Sequence, residues 1–181
     1  MTYETPSFER NTGLTSPVNL RKTLHNEWGL SLSLESRMGG DTRNLMLDFG
    51  YTPNALLNNM ELMGIDGTKV QSLIMSHGHY DHFGGLLGFL EKYRSQLPSD
   101  LPLFAGGEDN FCNRKTQAGA PGHFADWGVL DRRELDALKV KLVYCEQPTV
   151  IQGHAFGRLR LAFTQAPPAL VGVSGVSIPA A

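Results

Sequence analysis

The chain has 181 residues, of which 41% are hydrophobic and 19% are charged, and its formal net charge is -2. A chain of this size can bury the core of one domain, and its near-neutral charge argues against nucleic acid as a partner. It starts without the basic and apolar regions of a secretory signal, shows no membrane-helix pattern, and has two cysteines outside any CxxC motif. We therefore expect a cytoplasmic protein with reduced thiols and no membrane segment.

The first part of the chain predicts a hairpin followed by a helix. Residues 1–23 are polar and aperiodic, and they are expected to form an N-terminal arm. Residues 29–35 alternate apolar and polar side chains, and residues 44–48 form a second apolar run, so the turn residues between them indicate a β-hairpin. Thr52, followed by a proline, is a typical helix start, and Gly64 is placed to end that helix.

Strands and helices then alternate along the chain. The predicted strands span residues 70–75, 101–105, 140–144 and 149–151, and the predicted helices span residues 86–93 and 131–138. This alternation predicts the α/β class, with helices packed on sheets. The polar, glycine-rich connection at residues 106–128 is longer than most loops, which indicates a functional role.

The composition changes near residue 157. No charged residue follows Leu161, and prolines interrupt a segment of small and apolar side chains that has neither a helical nor a strand period. We expect residues 24–156 to form the domain. Residues 157–181 are expected to be a low-complexity tail that is disordered or not native to the domain.

Four side chains of metal-ligand type lie within six residues, directly after the strand predicted at 70–75: His77, His79, Asp81 and His82. Two histidines at positions i and i+2 leaving a strand project to the same side, and a turn then adds the carboxylate and the third imidazole. Imidazole and carboxylate ligands suit zinc, with iron and manganese as alternatives. The other interpretation, a chance cluster of surface histidines, explains the spacing less well.

The run from Ser76 to Leu86 resembles the HxHxDH motif of the metallo-β-lactamase superfamily, and Asp48 with the following Phe-Gly resembles its upstream Asp-x-Gly motif. This resemblance implies an αββα sandwich with helices outside two sheets. It also implies a metal-dependent hydrolase that acts on a small-molecule substrate with a metal-activated water. In the superfamily, the positions of His77 and His79 help to hold one metal, and those of Asp81 and His82 a second, so one or two zinc ions are implied. Asp81 would also orient the water.

Segments beginning at Glu27, Asn58 and Gly107 resemble one subgroup of the superfamily, which extends the resemblance to about residues 24–156. The subgroup includes proteins similar to the dihydropterin–ribofuranosylaminobenzene-phosphate synthase of methanopterin biosynthesis. A pterin-related synthase of the same fold is therefore an alternative to the hydrolase. Both remain open at this point.

The superfamily completes its metal site with ligands further along the chain, and here only His123 and His154 follow the motif. Neither lies in the family's expected context. We therefore expect a C-terminally truncated chain that represents mainly the N-terminal half of the sandwich. A third interpretation follows, a catalytically inactive fragment that binds metal.

Several residues near the motif allow two interpretations. Asp48 could orient the ligand histidines or cap the turn after its strand. Tyr80 could line the substrate pocket or shield the metal, and His154 could reach the site or be an ordinary loop histidine. Cys112 and Cys145 are expected to be small buried side chains. The sequence leaves the oligomeric state open.

Overall fold

A five-stranded sheet forms the centre of the structure. The structure, a computed structural model, describes residues 22–38, 40–147, 149–151 and 160–161. The first 21 residues of the predicted arm, His154 and most of the predicted tail lie outside the described residues. The domain boundaries predicted at residues 24 and 156 stay predictions.

The strands, in chain order, are β1 (Leu32–Met38), β2 (Asp41–Leu47), β3 (Ser72–Met75), β4 (Pro102–Ala105), β5 (Lys115–Gln117), β6 (Phe124–Asp126), β7 (Lys141–Tyr144), β8 (Thr149–Val150) and β9 (Arg160–Leu161). The main sheet has the order β1-β2-β3-β4-β7, in which β1 and β2 are antiparallel and the other pairings are parallel. The remaining strands form two antiparallel pairs, β5 with β6 and β8 with β9.

The α-helices of the described residues are α1 (Pro53–Met63), α2 (Tyr80–Phe83), α3 (Leu86–Tyr93) and α4 (Arg132–Ala137). The predicted limits of α1 are confirmed: the Thr52 hydroxyl accepts a hydrogen bond from the Ala55 amide at 3.2 Å, and Gly64 ends the helix with φ 69°. Asp131 caps α4 by accepting from the Arg133 amide at 2.9 Å. Within the part of the chain that the structure describes, no helix is long and apolar enough to cross a membrane.

The predicted hairpin is confirmed, with Leu32 opposite Leu47 and Met38 opposite Asp41. Its first strand begins at Leu32, three residues after the start that the alternating pattern of residues 29–35 predicted. The reason is that Leu30 makes other hydrogen bonds: its amide donates to the Asp81 carbonyl at 3.3 Å, and its carbonyl accepts from Gly50 at 2.9 Å. The segment before β1 therefore fastens the motif loop instead of extending the sheet.

Apolar side chains are buried on both faces of the central strands of the sheet. Side chains of one face, including Leu73, Met75 and Leu103, pack with helix residues such as Leu56 of α1 and Phe89 of α3 in the larger apolar cluster. The other face forms a smaller cluster of Leu45, Leu47, Ile74 and Ile151, with Leu34 and Phe104 packed against it. Burying one such side chain stabilises the fold by roughly 1.5–3 kcal/mol. The predicted α/β class is confirmed.

The connection at residues 106–128 differs from the uninterrupted loop that the sequence predicted. It contains a 3₁₀ turn at Glu108–Phe111 and the hairpin of β5 and β6. All six residues of these two short strands are exposed, so they have no buried face and show no apolar alternation along the sequence. The prediction that both cysteines are buried is wrong for Cys112, which is exposed, and confirmed for Cys145.

Candidate metal centre

Parallel pairing places the predicted ligands at one edge of the sheet. Because β2, β3 and β4 run in the same direction, their carboxyl ends meet there, and the loops that follow them lie side by side. Asp48 follows β2, Ser76 and His77 follow β3, and the long connection containing β5 and β6 follows β4. The site is thus built by segments that are distant in sequence.

The structure brings the four predicted ligands together. The ring centroids of His77 and His79 lie 4.4 Å apart, and those of His77 and His82 lie 4.0 Å apart. Nε2 of His82 is 3.6 Å from Oδ2 of Asp81. The turn that the sequence predicted after the second histidine is helix α2, which begins directly after its N-cap residue His79. His79, Asp81 and His82 are therefore held by one helical turn and the residue before it.

Asp48 is fully buried behind this cluster, with a positive φ of 59°. Its Oδ1 accepts a hydrogen bond from the Ser76 amide at 2.7 Å, and its Oδ2 accepts from the Ser76 hydroxyl at 2.6 Å. The same Oδ2 lies 2.7 Å from Nδ1 of His82. Asp48 therefore shapes the turn after β2 and also holds one predicted ligand by the nitrogen that a metal would leave free, so the two interpretations of this residue are compatible.

One buried oxygen of Asp81 fits a cation. Oδ1 of Asp81 has no hydrogen-bond partner among the described residues, although it is shielded from solvent. A buried polar atom without a partner costs on the order of 1–3 kcal/mol, and a bound cation would remove that cost. As the side chains stand, however, no three histidine, cysteine, aspartate or glutamate residues of the described ranges are arranged so that they could hold a metal ion. The residue types of the cluster suit a metal, but the described side chains do not by themselves form a complete set of metal ligands.

The surroundings shift the pKa values of the three motif histidines in different directions. Burial, followed by the charges of His82 and His79, lowers the pKa of His77 to about 4. Burial, followed by the charge of Arg114, also lowers the pKa of His79. Burial opposes the charged form of His82 as well, but the hydrogen bond and charge of Asp48 outweigh it and raise the pKa of His82. His77 is therefore uncharged near neutral pH, which is the form that binds metals.

The motif loop is fixed by its backbone. The Phe49 amide donates to the His82 carbonyl at 2.7 Å, and the His82 amide donates to the His79 carbonyl at 3.0 Å. Gly78 lies against the backbone of Asn110, where a Cβ would overlap the carbonyl oxygen. The glycine between the two histidines is thus required because the Asn110 segment passes close to it, and not because of its own backbone angles.

Sequence reasoning missed two residues beside the cluster, Trp127 and Arg114. The Trp127 ring lies 5.0 Å from the His79 ring at an angle of 35°, and its amide donates to the Arg114 carbonyl at 2.8 Å. One guanidinium nitrogen of Arg114 donates to the Asp109 carbonyl at 3.0 Å, while its buried Nε has no partner among the described residues. The length of the connection indicated function, but nothing in its pattern singled out these two side chains.

The remaining candidates lie apart from the cluster or outside the described residues. Tyr80 packs edge-on against Tyr51 and Phe83, with ring centroids 5.0 and 5.4 Å away, so its ring belongs to an aromatic layer beside the motif. His123 is exposed in the turn between β5 and β6. His154 falls outside the described residues, so its predicted role stays a prediction.

Residues 36–99 match the family model of the metallo-beta-lactamase superfamily, which confirms the resemblance predicted from the motif. The chain is 31% identical over 70 residues to the 7,8-dihydropterin-6-methyl-4-(beta-D-ribofuranosyl)-aminobenzene-5'-phosphate synthase of Methanocaldococcus jannaschii. That match covers 39% of this chain and 24% of the synthase.

Two solved metallo-β-lactamases are similar to the chain at low sequence identity. The SMB-1 enzyme bound to 2-mercaptoethanesulfonate is 17% identical with a TM-score of 0.41, and the match covers 67% of this chain and 42% of that one. A B3 enzyme with an active-site glutamic acid is 16% identical with a TM-score of 0.42, covering 76% and 54%. The chain thus spans a quarter of the synthase and about half of these enzymes.

Proposed function

We propose that this chain, whose residues 36–99 match the metallo-β-lactamase superfamily, is a metal-dependent hydrolase of a small-molecule substrate. The observation that carries the proposal is the cluster of three imidazoles, with Asp81 next to His82 and its buried Oδ1 without a partner among the described residues. Zinc is the metal that this mixture of nitrogen and oxygen donors favours, with iron and manganese as alternatives.

Each residue of the loop has an assigned part. His77 and His79 would hold a first metal, and Asp81 and His82 a second, as the superfamily motif implies. A bound metal supplies Lewis acidity that lowers the pKa of water to about 7 and polarises a substrate oxygen. Asp81 would also orient the water, and Asp48 would keep His82 in place.

The substrate pocket would have Trp127 and Arg114 along one side. Trp127 offers an aromatic surface next to His79, and the charge of the Arg114 guanidinium lowers the pKa of the same histidine. An aromatic face suits a planar group, and a guanidinium suits a carboxylate or phosphate. We therefore expect the substrate to carry both a ring and a negative charge.

A second candidate function is a synthase that acts on a pterin-type substrate. The 31% identity to a protein named as a dihydropterin phosphate synthase favours it, although the match covers only 24% of that protein. A fused ring with a phosphate group would also meet the aromatic and cationic surfaces of Trp127 and Arg114. A third candidate, the inactive metal-binding fragment, predicts bound metal without turnover.

Metal content tests the proposal directly. We expect the purified chain to carry zinc at one equivalent or less, because the loop supplies only four ligands for two sites. His79→Ala should weaken zinc binding by more than the roughly 10- to 100-fold that loss of an outer hydrogen-bond partner costs. Elemental analysis and competition with a zinc chelator measure both quantities.

His123→Ala is the matched control, since this histidine is exposed in the β5–β6 turn, and it should bind zinc as the unchanged chain does. His154→Ala should also lose less metal than His79→Ala. A chain that stays metal-free after dialysis against zinc would contradict the proposal. Two tightly held equivalents would show that further ligands exist, with His154 the first to test.

Turnover separates the three candidates. With two protein ligands for each metal, water is poorly oriented, so we expect slow hydrolysis of ester, thioester, lactam or phosphodiester substrates when zinc or manganese is added. Asp81→Ala should abolish it. Transfer to a pterin-type acceptor without hydrolysis would support the synthase, and bound metal without any turnover would support the inactive fragment.

A further inference from the structure

Ser76 connects the buried carboxylate of Asp48 to the first histidine of the motif. Its hydroxyl oxygen lies 2.6 Å from Oδ2 of Asp48 and 3.0 Å from Nδ1 of His77. We propose that Ser76 is a positioning residue that fixes His77 in the tautomer with its proton on Nδ1, so that Nε2 is left bare for the metal. The metal part of this inference rests on the proposed function, whereas the tautomer does not.

Counting protons leads to this assignment. A serine hydroxyl has one proton, and a carboxylate oxygen can only accept. If that proton pointed to His77, the Ser76 and Asp48 oxygens would face each other at 2.6 Å with no proton between them. The Ser76 hydroxyl must therefore donate to Asp48, so the nitrogen of His77 that contacts Ser76 must donate to the hydroxyl oxygen.

His82 is held in the same tautomer by a direct contact with Asp48. Its Nδ1 lies 2.7 Å from Oδ2 of Asp48 and 3.4 Å from the Ser76 oxygen, so the shorter contact takes its proton. Asp48 thus controls both histidines, His82 directly and His77 through Ser76. Both rings are left with an unprotonated Nε2, which is the nitrogen available for a ligand bond.

Nitrogen NMR of the metal-free full chain, with ¹⁵N-labelled histidine, tests the tautomer at a pH where the rings are neutral. The His77 signals are assigned by their loss in His77→Gln. In the unchanged chain and in Ser76→Thr, which keeps the hydroxyl, we expect the His77 proton on Nδ1. In Ser76→Ala, we expect a population with the proton on Nε2 to appear. Ser99→Ala, at an exposed serine, is the control and should leave the spectrum unchanged.

Zinc affinity gives the second readout. Ser76→Ala should bind zinc roughly 10- to 100-fold more weakly, and Ser76→Thr should restore binding close to that of the unchanged chain. A purely structural role of Ser76 would lower the unfolding temperature without moving the His77 proton.

A His77 proton on Nε2 in the unchanged chain would overturn the inference, as would an unaltered His77 spectrum in Ser76→Ala. If Ser76→Ala fails to fold, the unchanged chain and Ser76→Thr still decide, because both must show the proton on Nδ1. If the unchanged chain binds no zinc, the proposed function fails, and the tautomer alone decides the role of Ser76.

Discussion

Replacing Asp48 with asparagine is expected to weaken zinc binding by roughly 10- to 100-fold while the chain still folds. Asparagine has the same shape, tolerates the φ of 59° and can still accept from the Ser76 amide. It places an amide donor where Oδ2 of Asp48 accepts from His82, so Nδ1 of His82 must become an acceptor. The His82 proton then moves to Nε2 and blocks the nitrogen that would bind the metal.

Asp48→Ala should be more damaging to the fold. It removes the acceptor from the Ser76 amide, the Ser76 hydroxyl and His82 at once, in a place that water does not reach. Alanine also lacks the short polar side chain that helps aspartate to tolerate the φ of 59°. We expect the free energy of unfolding to fall by about 3 kcal/mol or more.

Chelator competition measures the zinc affinity of both Asp48 variants, and chemical denaturation without metal measures their stability. Asp66→Asn is the matched control, because Asp66 also accepts from a backbone amide, that of Thr68 at 3.0 Å, but on the protein surface. Unchanged zinc affinity in Asp48→Asn would show that His82 does not need the carboxylate in order to bind metal.

Gly78→Ala is expected to reduce zinc binding and stability together. The added methyl group would overlap the Asn110 carbonyl, and backbone cannot move aside as a flexible side chain can. Separating the two segments shifts His77 and His79, which flank this residue, away from their present contact. Overpacking of this kind costs about 1–3 kcal/mol, and small displacements of ligands disturb a metal site further.

Gly119→Ala separates this effect from the general cost of replacing a loop glycine. Gly119 has open space around it, so only its φ of 76° opposes the substitution. It should lower stability by about 1–2 kcal/mol and leave zinc binding unchanged. Wild-type zinc affinity in Gly78→Ala, measured by the same competition, would show that the two histidines do not depend on the close approach to Asn110.

The elements that the sequence predicted best are those whose signals are local. The limits of α1 follow from Thr52 and Gly64, which act on their own neighbours in the chain. The start of β1 was misjudged because Leu30 bonds to the motif loop, and a period-two pattern carries no information about that partner. The β5–β6 hairpin was missed because its strands bury no side chain.

The candidate site divides in the same way. His77, His79, Asp81 and His82 could be named because they lie within six residues of one another. Ser76 was passed over because its role depends on a contact with Asp48, which only the pairing of β2 and β3 brings near. Trp127 was missed for a similar reason: its contact with His79 depends on how a hairpin folds back over the sheet edge.

The β5–β6 hairpin is held in the fold less firmly than the rest of the site. Its strands pair with each other, and none of their side chains is buried, so little free energy opposes their separation from the sheet. The buried strands β2 and β3, by contrast, can only separate when much of the apolar core opens. We therefore expect local opening of the hairpin to move Trp127 away from His79 while Asp48, Ser76 and His82 keep their hydrogen bonds. We therefore expect this side of the candidate site to be the first to open, while the histidines keep their positions.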